Sequence, residues 1–138
     1  MKKMILMTLF LSCVVLAGMT QAGSDENNDP LLTREGMEKK LGSFGIQPYP
    51  QAVFNNVSFK RNNYSIVYDI LPATQENKDA VDAYYNDVLK KMEDNGWKRL
   101  TISAGMFIMS KEKDSVTWAH GYNAQAKLNR VSISYSAK

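Results

Sequence analysis

The chain has 138 residues, enough for one domain, with 17 Lys and Arg, 14 Asp and Glu, and a single cysteine. Lys2 and Lys3 belong to an N-terminal segment that we expect to be removed, and without those two the basic residues number 15 against 14 acidic ones, a net charge of +1. So small a charge excludes the strong positive field of a nucleic-acid-binding protein. We therefore expect no nucleic-acid partner.

The first residues resemble a secretory signal peptide. Lys2 and Lys3 form a basic start, Met4–Gly18 is almost wholly apolar, and the chain then turns polar. The apolar run is shorter than the roughly 20 residues that a membrane-spanning helix needs. Because small residues precede the polar stretch, we predict a signal peptide over residues 1–22, cut after Ala22. An uncleaved N-terminal anchor is the alternative.

Cys13 offers a second processing site. Leu11-Ser12-Cys13 resembles a bacterial lipobox, in which the cysteine is lipidated and becomes the new N-terminus. The apolar run continues past Cys13, and this favours cleavage after Ala22, which leaves no cysteine and hence no disulfide or cysteine metal site. We expect an exported protein, periplasmic or secreted, with a membrane-anchored lipoprotein as the alternative. A membrane contact is expected only if Cys13 is lipidated or the signal peptide is retained.

Residues 23–47 are predicted to form a polar leader with one short helix, Arg34–Leu41. Thr33 can cap its start, and Gly42 is predicted to end it. Gly36 inside the helix argues against it. The helix either docks on the domain or belongs to a tether, and residues 48–138 are predicted to form a single domain.

A β-hairpin and one long helix open this domain. Residues 52–60 and 64–71 alternate apolar and polar side chains, with a tight turn at Arg61-Asn62-Asn63 between them. The stretch Thr74–Trp97 predicts the main helix, because its start is capped by Thr74 and Asn95-Gly96 can end it. Its apolar residues recur at helical spacing and form one face: Val81, Tyr84, Tyr85, Val88, Leu89 and Met92.

The rest of the chain alternates as strands, predicted at residues 97–103, 106–111, 115–122 and 128–136. The predicted class is α+β, an antiparallel sheet of order ββαββββ with the main helix on one face and the short N-terminal helix in addition. We expect Ile66, Tyr68, Ile70, Trp118 and Ile133 to face the helix. The other, wet face is where a ligand or partner would bind.

No catalytic, cofactor-binding or metal-binding residues are predicted. His120 is the single histidine, and it lies on the same face of its strand as Trp118, as a packed histidine would. No nucleophile elbow or metal-ligand spacing accompanies it. The acidic residues of the main helix, Asp79, Asp82 and Asp87, are interpreted as a solvated face. The basic pairs Lys60-Arg61 and Lys98-Arg99 are interpreted as ordinary surface, or else as a small anion-binding patch.

Three short motifs carry a family resemblance. They are Tyr49-Pro50-Gln51-Ala52, Tyr84-Tyr85 with Leu89 one turn later, and Gly96-Trp97. Over residues 48–110 the chain resembles small exported bacterial envelope proteins and lipoproteins of unknown function, in which a "YPGA" segment opens the domain; Gln51 stands here in place of the usual glycine. The resemblance implies an exported α+β envelope domain and assigns no catalytic residue.

Three functions are consistent with these features. The first is a non-catalytic exported envelope protein, a small binding or accessory domain with a protein partner in the cell envelope. The second is a secreted hydrolase-type enzyme that relies on His120. The third is a lipid-tethered structural subunit, in which the leader is a spacer.

Overall fold

A computed structural model describes residues 28–138, so the predicted signal peptide and Cys13 lie outside the described residues. The protein is α+β, as predicted, with a six-stranded antiparallel sheet and two α-helices. The helices and strands are α1 (Arg34–Gly42), β1 (Ala52–Lys60), β2 (Asn63–Ile70), α2 (Gln75–Asp94), β3 (Lys98–Ser103), β4 (Met106–Lys111), β5 (Asp114–Asn123) and β6 (Leu128–Ala137). Within residues 28–138, no helix is long and apolar enough to cross a membrane.

The strands lie in the order β1-β2-β6-β5-β4-β3 across the sheet. β6 therefore returns to the middle, where it pairs with β2 on one side and β5 on the other. The buried side chains of β6, Val131, Ile133 and Tyr135, sit at the centre of the core for this reason. β1 and β3 form the two edges of the sheet.

Helix α1 packs into the core. Thr33 caps its start by accepting a hydrogen bond from the backbone N–H of Gly36, as the sequence predicts. Met37 and Leu41 are buried, and so is Ile46 just after the helix. The packed unit therefore includes part of the segment predicted to be a leader, because this short helix has two apolar side chains to bury.

The end of α1 differs from the prediction. Gly42 is still part of the helix, and Ser43 is the C-cap. The residue with a left-handed backbone is Gly45, with a φ of 84°. Gly45 N–H donates to the carbonyl of Gly42, and Ile46 N–H donates to that of Leu41, so the chain reverses three residues later than predicted.

Helix α2 has the start and stop signals seen in the sequence. The hydroxyl of Thr74 accepts from the backbone N–H of Asn77, and Gly96 is left-handed with a φ of 87°. The buried residues of the helix are Val81, Tyr85, Val88, Leu89 and Met92. Tyr84, predicted to share this face, is only half-buried, and its ring packs edge-on against Tyr49.

The two faces of the sheet differ in chemistry. One face carries the side chains predicted to point inward, all of which are buried in the hydrophobic core cluster: Ile66, Tyr68, Ile70, Trp118 and Ile133. The opposite face carries small hydroxyl side chains at the centre, and the hydroxyls of Ser65 and Ser134 lie 2.6 Å apart across β2 and β6. Polar side chains of this kind are typical of the solvated face of an antiparallel sheet.

Candidate functional site

His120 joins the sheet to helix α2. Its Nδ1 lies 2.7 Å from Oδ1 of Asp82 on α2, and its Nε2 lies 2.6 Å from Oδ1 of Asn129 on β6. The imidazole is 4% exposed, so it is a buried group, on the face of β5 that the sequence predicts. The interpretation of Asp82 as part of a solvated helix face is wrong, since its carboxylate is only 36% exposed and is bonded to this ring.

Local structure explains why these side chains meet. On α2, Lys78 and Asp82 are four residues apart and therefore neighbours, with Lys78 Nζ 2.6 Å from Asp82 Oδ2. Across the sheet, His120 pairs with Val131 on β6. Asn129 lies two residues before Val131 and so points to the same face as His120. One oxygen of Asp82 thus bonds the lysine and the other bonds the histidine.

The contacts of the His120 ring are linked to the orientation of the Asn129 amide. A carboxylate oxygen only accepts hydrogen bonds, so Nδ1 of His120 donates to Asp82, whereas the amide of Asn129 can present either its oxygen or its nitrogen to Nε2. Asn129 is buried and its Nδ2 has no partner among the described residues. Rotating the amide by 180° would let Nδ2 donate to a neutral ring but would leave Oδ1 unbonded. The orientation of Asn129 is therefore coupled to the proton on Nε2.

The electrostatics of Asp82 follow from the same contacts. Burial by itself would raise the pKa of this carboxyl group. Hydrogen bonds from Lys78 and His120 outweigh that effect and hold the pKa of Asp82 below its usual range. Asp82 is therefore a carboxylate that accepts a hydrogen bond at each of its two oxygens.

A cleft of about 260 Å³ opens beside this cluster, between α2 and the turn that joins β3 to β4; we call it the His120 cleft. The residues that line it are the aromatic Tyr85, Phe107 and Trp118, the polar Lys78, Asp82, Asn86 and His120, and Ala104 and Gly105 of the turn. Only glycine fits at position 105, because a Cβ there would lie 2.8 Å from the carbonyl oxygen of His120. The backbone N–H of His120 donates to the Gly105 carbonyl at 2.7 Å, which fixes the rim.

Of the residues that the structure describes, no serine, threonine or cysteine lines the cleft, and both nitrogens of His120 are already bonded. The hydroxyl of Tyr85 accepts from the backbone N–H of Tyr49, and burial raises the pKa of this phenol. Among residues 28–138, no group of three or more His, Cys, Asp or Glu side chains is placed to hold a metal ion. The chemistry that the lining supports is binding by aromatic contact and hydrogen bonding.

A second feature lies on the opposite face of the sheet at the β3 edge. Leu100, Ile102 and Met106 are 58%, 51% and 36% exposed, and we call them the β3–β4 apolar patch. Leu100 pairs with Ile108 and Ser103 pairs with Met106, with a β-bulge between Thr101 and Ser103. Since β3 is an edge strand, its outward backbone groups are also open to a partner. Sequence reasoning assigned the alternation of β3 but not the exposure of its apolar side chains.

The two basic pairs lie at different places. Lys60 and Arg61 are exposed at the β1–β2 turn. Lys98 is exposed on β3, whereas Arg99 is half-buried with its guanidinium group 4.2 Å from the ring centroid of Phe107, which lines the His120 cleft. The pairs therefore do not form a common anion-binding patch, but Arg99 adds a positive charge beside the cleft.

Comparison of the chain with protein-family models, with curated proteins and with solved structures finds no match.

Proposed function

We propose that the protein is a non-catalytic, exported bacterial envelope protein, a small binding or accessory domain that engages a protein partner. The observation that carries this proposal is the β3–β4 apolar patch. Its side chains, Leu100, Ile102 and Met106, stand exposed next to an unpaired strand edge. Neighbouring exposed apolar groups are a feature of protein-binding surfaces, and an open edge adds backbone hydrogen-bonding groups that a partner strand can use.

The layer arrangement supports this use of the sheet. We infer an order of ββαββββ in which α2 covers one face, with α1 beside it. The edge-to-face contact of Tyr85 on α2 with Trp118 on β5, whose ring centroids lie 3.7 Å apart, is consistent with this packing. The hydroxyl-rich face then has no layer from the described residues over it and is the surface left for a partner.

The alternative of a secreted hydrolase would use His120 as a general base. Such a base needs a free ring nitrogen within hydrogen-bonding reach of the proton that it removes. Both nitrogens of His120 are bonded, to Asp82 and Asn129, and among the described residues no serine, threonine or cysteine lines the cleft. These contacts favour the binding proposal over the hydrolase.

The proposed location rests on the N-terminal sequence. A mature chain that begins at Gly23 would be periplasmic or secreted, whereas a chain that begins at a lipidated Cys13 would be the tethered structural subunit. Intact-mass measurement of the protein recovered from the producing cells separates the two. The proposal of a freely exported protein requires the mass of a chain starting at Gly23.

Partner capture tests the proposed function. We expect the wild-type protein, cross-linked in intact bacterial cells at native abundance, to retain one specific envelope protein, and Leu100→Ser with Ile102→Ser to lose it. The matched control is Val53→Ser on the β1 edge, which removes a side chain that is 53% exposed and lies away from the patch. Equal capture by the patch variant and the control would refute the assignment of the interface.

A further inference from the structure

We propose that the tip of the β1–β2 hairpin docks on the surface of an anionic lipid bilayer. The hairpin tip consists of four residues, Phe59-Lys60-Arg61-Asn62. The folded domain makes this contact itself, without a lipidated Cys13 or a retained signal peptide. The proposal does not depend on the protein partner proposed above, because β1 and β3 are opposite edges of the sheet.

The basic side chains of the hairpin tip keep their charges available. Lys60 and Arg61 are exposed, and neither forms a salt bridge within the part of the chain that the structure describes. Arg130, at the other end of the strands, is by contrast paired with Asp69. A cation without an acidic neighbour keeps its attraction for an anionic surface. Each Lys or Arg close to an anionic bilayer strengthens binding by about fivefold.

The β4–β5 turn lies at the same end of the strands as the hairpin tip. The start of β2 pairs with the end of β6, and the end of β6 pairs with the start of β5. The turn contributes the exposed Lys113, whereas its exposed Lys111 and Glu112 offset each other. Toward the β3 edge the exposed charges also balance: Lys90 and Lys98 against Glu93 and Asp94.

Two acidic groups at this end of the strands are engaged by tyrosine hydroxyls. Asp29 accepts a hydrogen bond from Tyr64, and Asp114 accepts one from Tyr135 at 2.8 Å. Both carboxylates belong to half-buried residues, and Lys40 lies 4.0 Å from Asp114. On the β1–β2 side, this end therefore has two more positive than negative charges: Lys40, Lys60, Arg61 and Lys113 against Asp29 and Asp114.

The exposed ring of Phe59 favours a bilayer over a soluble polyanion. Phe59 is 50% exposed, and its ring centroid lies 4.7 Å from that of Tyr64. Phenylalanine beside Lys and Arg is typical of protein segments that lie at a membrane interface, where the ring enters the acyl boundary and the cations meet the headgroups. A soluble polyanion attracts the same cations but has no apolar interior for the ring.

The hairpin tip is preorganised. Lys60 pairs with Asn63, which leaves a loop of two residues, Arg61 and Asn62, with φ values of 52° and 63°. Two positive φ values match the twist of the flanking strands in a tight hairpin turn. The side-chain amide of Asn63 also donates to the carbonyl of Arg61 at 3.0 Å. A turn that is already ordered loses little conformational freedom on docking.

Vesicle sedimentation tests the proposal with the protein as it is recovered from the producing cells. The probes are vesicles of phosphatidylglycerol mixed equally with phosphatidylcholine, and vesicles of phosphatidylcholine alone. We expect binding to the mixed vesicles to be at least about 10-fold stronger, and to weaken as salt is raised to about 1 M, where the screening length is about 3 Å. Equal binding to both kinds of vesicle would overturn the proposal.

Two double variants with the same change in net charge locate the contact. Lys60→Gln with Arg61→Asn should bind the mixed vesicles about 25-fold more weakly, and asparagine suits the left-handed backbone at position 61. The matched control is Lys90→Gln with Lys127→Asn. Lys127 is exposed and has a φ of 50° in the β5–β6 turn at the other end of the strands, so the control should bind as the wild type does. All variants share one N-terminus, and equal binding by the two double variants would refute the site.

Phe59→Thr separates a bilayer from a soluble polyanion. We expect it to bind the mixed vesicles about fivefold more weakly than the wild type, because half of the phenylalanine side chain is available to enter the bilayer. Its binding to inorganic polyphosphate should equal that of the wild type. If Phe59→Thr bound the mixed vesicles as tightly as the wild type, the hairpin tip would be a site for soluble polyanions and the bilayer assignment would be wrong. None of these results bears on partner capture through the β3–β4 apolar patch.

Discussion

Gly36 is the residue at which a routine stabilising substitution should have the opposite effect. Glycine within a helix is ordinarily about 0.5–1 kcal/mol less stable than alanine, so Gly→Ala usually raises the free energy of unfolding. At position 36, however, a Cβ would lie 1.8 Å from the carbonyl oxygen of Pro30. Because real Cβ atoms do not come so close to an oxygen atom, Gly36→Ala must displace the 3₁₀ turn Pro30–Leu32 from the helix.

The cost follows from the bonds that the Pro30 carbonyl makes. It accepts hydrogen bonds from the backbone N–H of Thr33 at 3.2 Å and from the Thr33 hydroxyl at 2.7 Å. The same hydroxyl caps α1 through the N–H of Gly36. Each bond contributes about 1 kcal/mol, and so does the cap, which gives a loss of about 2–3 kcal/mol. After subtracting the helix-propensity gain of about 1 kcal/mol, we expect Gly36→Ala to destabilise the domain by about 1–2 kcal/mol.

Urea denaturation followed by circular dichroism measures this difference, with Gly42→Ala as the matched control in the same helix. At Gly42 a Cβ would meet only the end of the Gln47 side chain, at 3.1 Å, and this exposed amide can move aside. We expect Gly42→Ala to be as stable as the wild type or up to about 1 kcal/mol more stable. If Gly36→Ala were as stable as Gly42→Ala, the close packing of the Pro30 carbonyl on α1 would be refuted.

Two further predictions concern the core and the acid response. Leu89→Asp should abolish cooperative unfolding, because it places a carboxylate without a partner at a site that is 1% exposed. Lys90→Asp, at the neighbouring exposed position, should keep the fold. Near-UV circular dichroism distinguishes the two outcomes, and a folded Leu89→Asp variant would show that this face of α2 is not buried. Asp69 accepts hydrogen bonds from Arg130, and these bonds lower the pKa of the Asp69 carboxyl group although burial would raise it. The ionised carboxylate therefore stabilises the fold above the unfolded-state pKa of about 3.9, and this contribution is lost as the pH falls through the lower folded-state pKa. Asp69→Asn should lower the free energy of unfolding at pH 7 by up to about 1 kcal/mol, and less at pH 2; an equal loss at both pH values would contradict the role of the carboxylate.

The sequence predicted the fold class and much of the core because those signals are local. The alternation of β2 and β6 identifies Ile66 and Ile133 as inward-facing, and the spacing of apolar residues on α2 identifies Leu89 as buried. Each of these inferences needs only neighbouring residues. The error at Tyr84 arose because its neighbour Tyr85 fills the space against Trp118, so only one of two adjacent tyrosines reaches the core. Helical spacing alone cannot rank them.

The His120 cleft depends instead on long-range register. Asp82 and His120 are separated by 38 residues along the chain, and their side chains meet only in the folded domain. No spacing rule predicts a contact between residues so far apart. The contacts of Asn129 likewise follow from the pairing of β5 with β6, since His120 stands opposite Val131. A sequence signal was present all the same: Asn129 is a polar residue at an inward position of a strand, and a buried amide requires a partner.

Gly36 has a low helix propensity, but its lack of a side chain permits a tertiary contact with helix α1. By propensity the glycine argues against helix α1, yet the helix forms and buries Met37 and Leu41. The glycine is tolerated because the Pro30 carbonyl occupies the place of its side chain, which fixes the direction in which the preceding chain approaches the domain. Asp29, just before this turn, accepts a hydrogen bond from the hydroxyl of Tyr64 on β2. Asp29 therefore lies beside the β1–β2 hairpin, at the end of the sheet opposite the β3–β4 apolar patch.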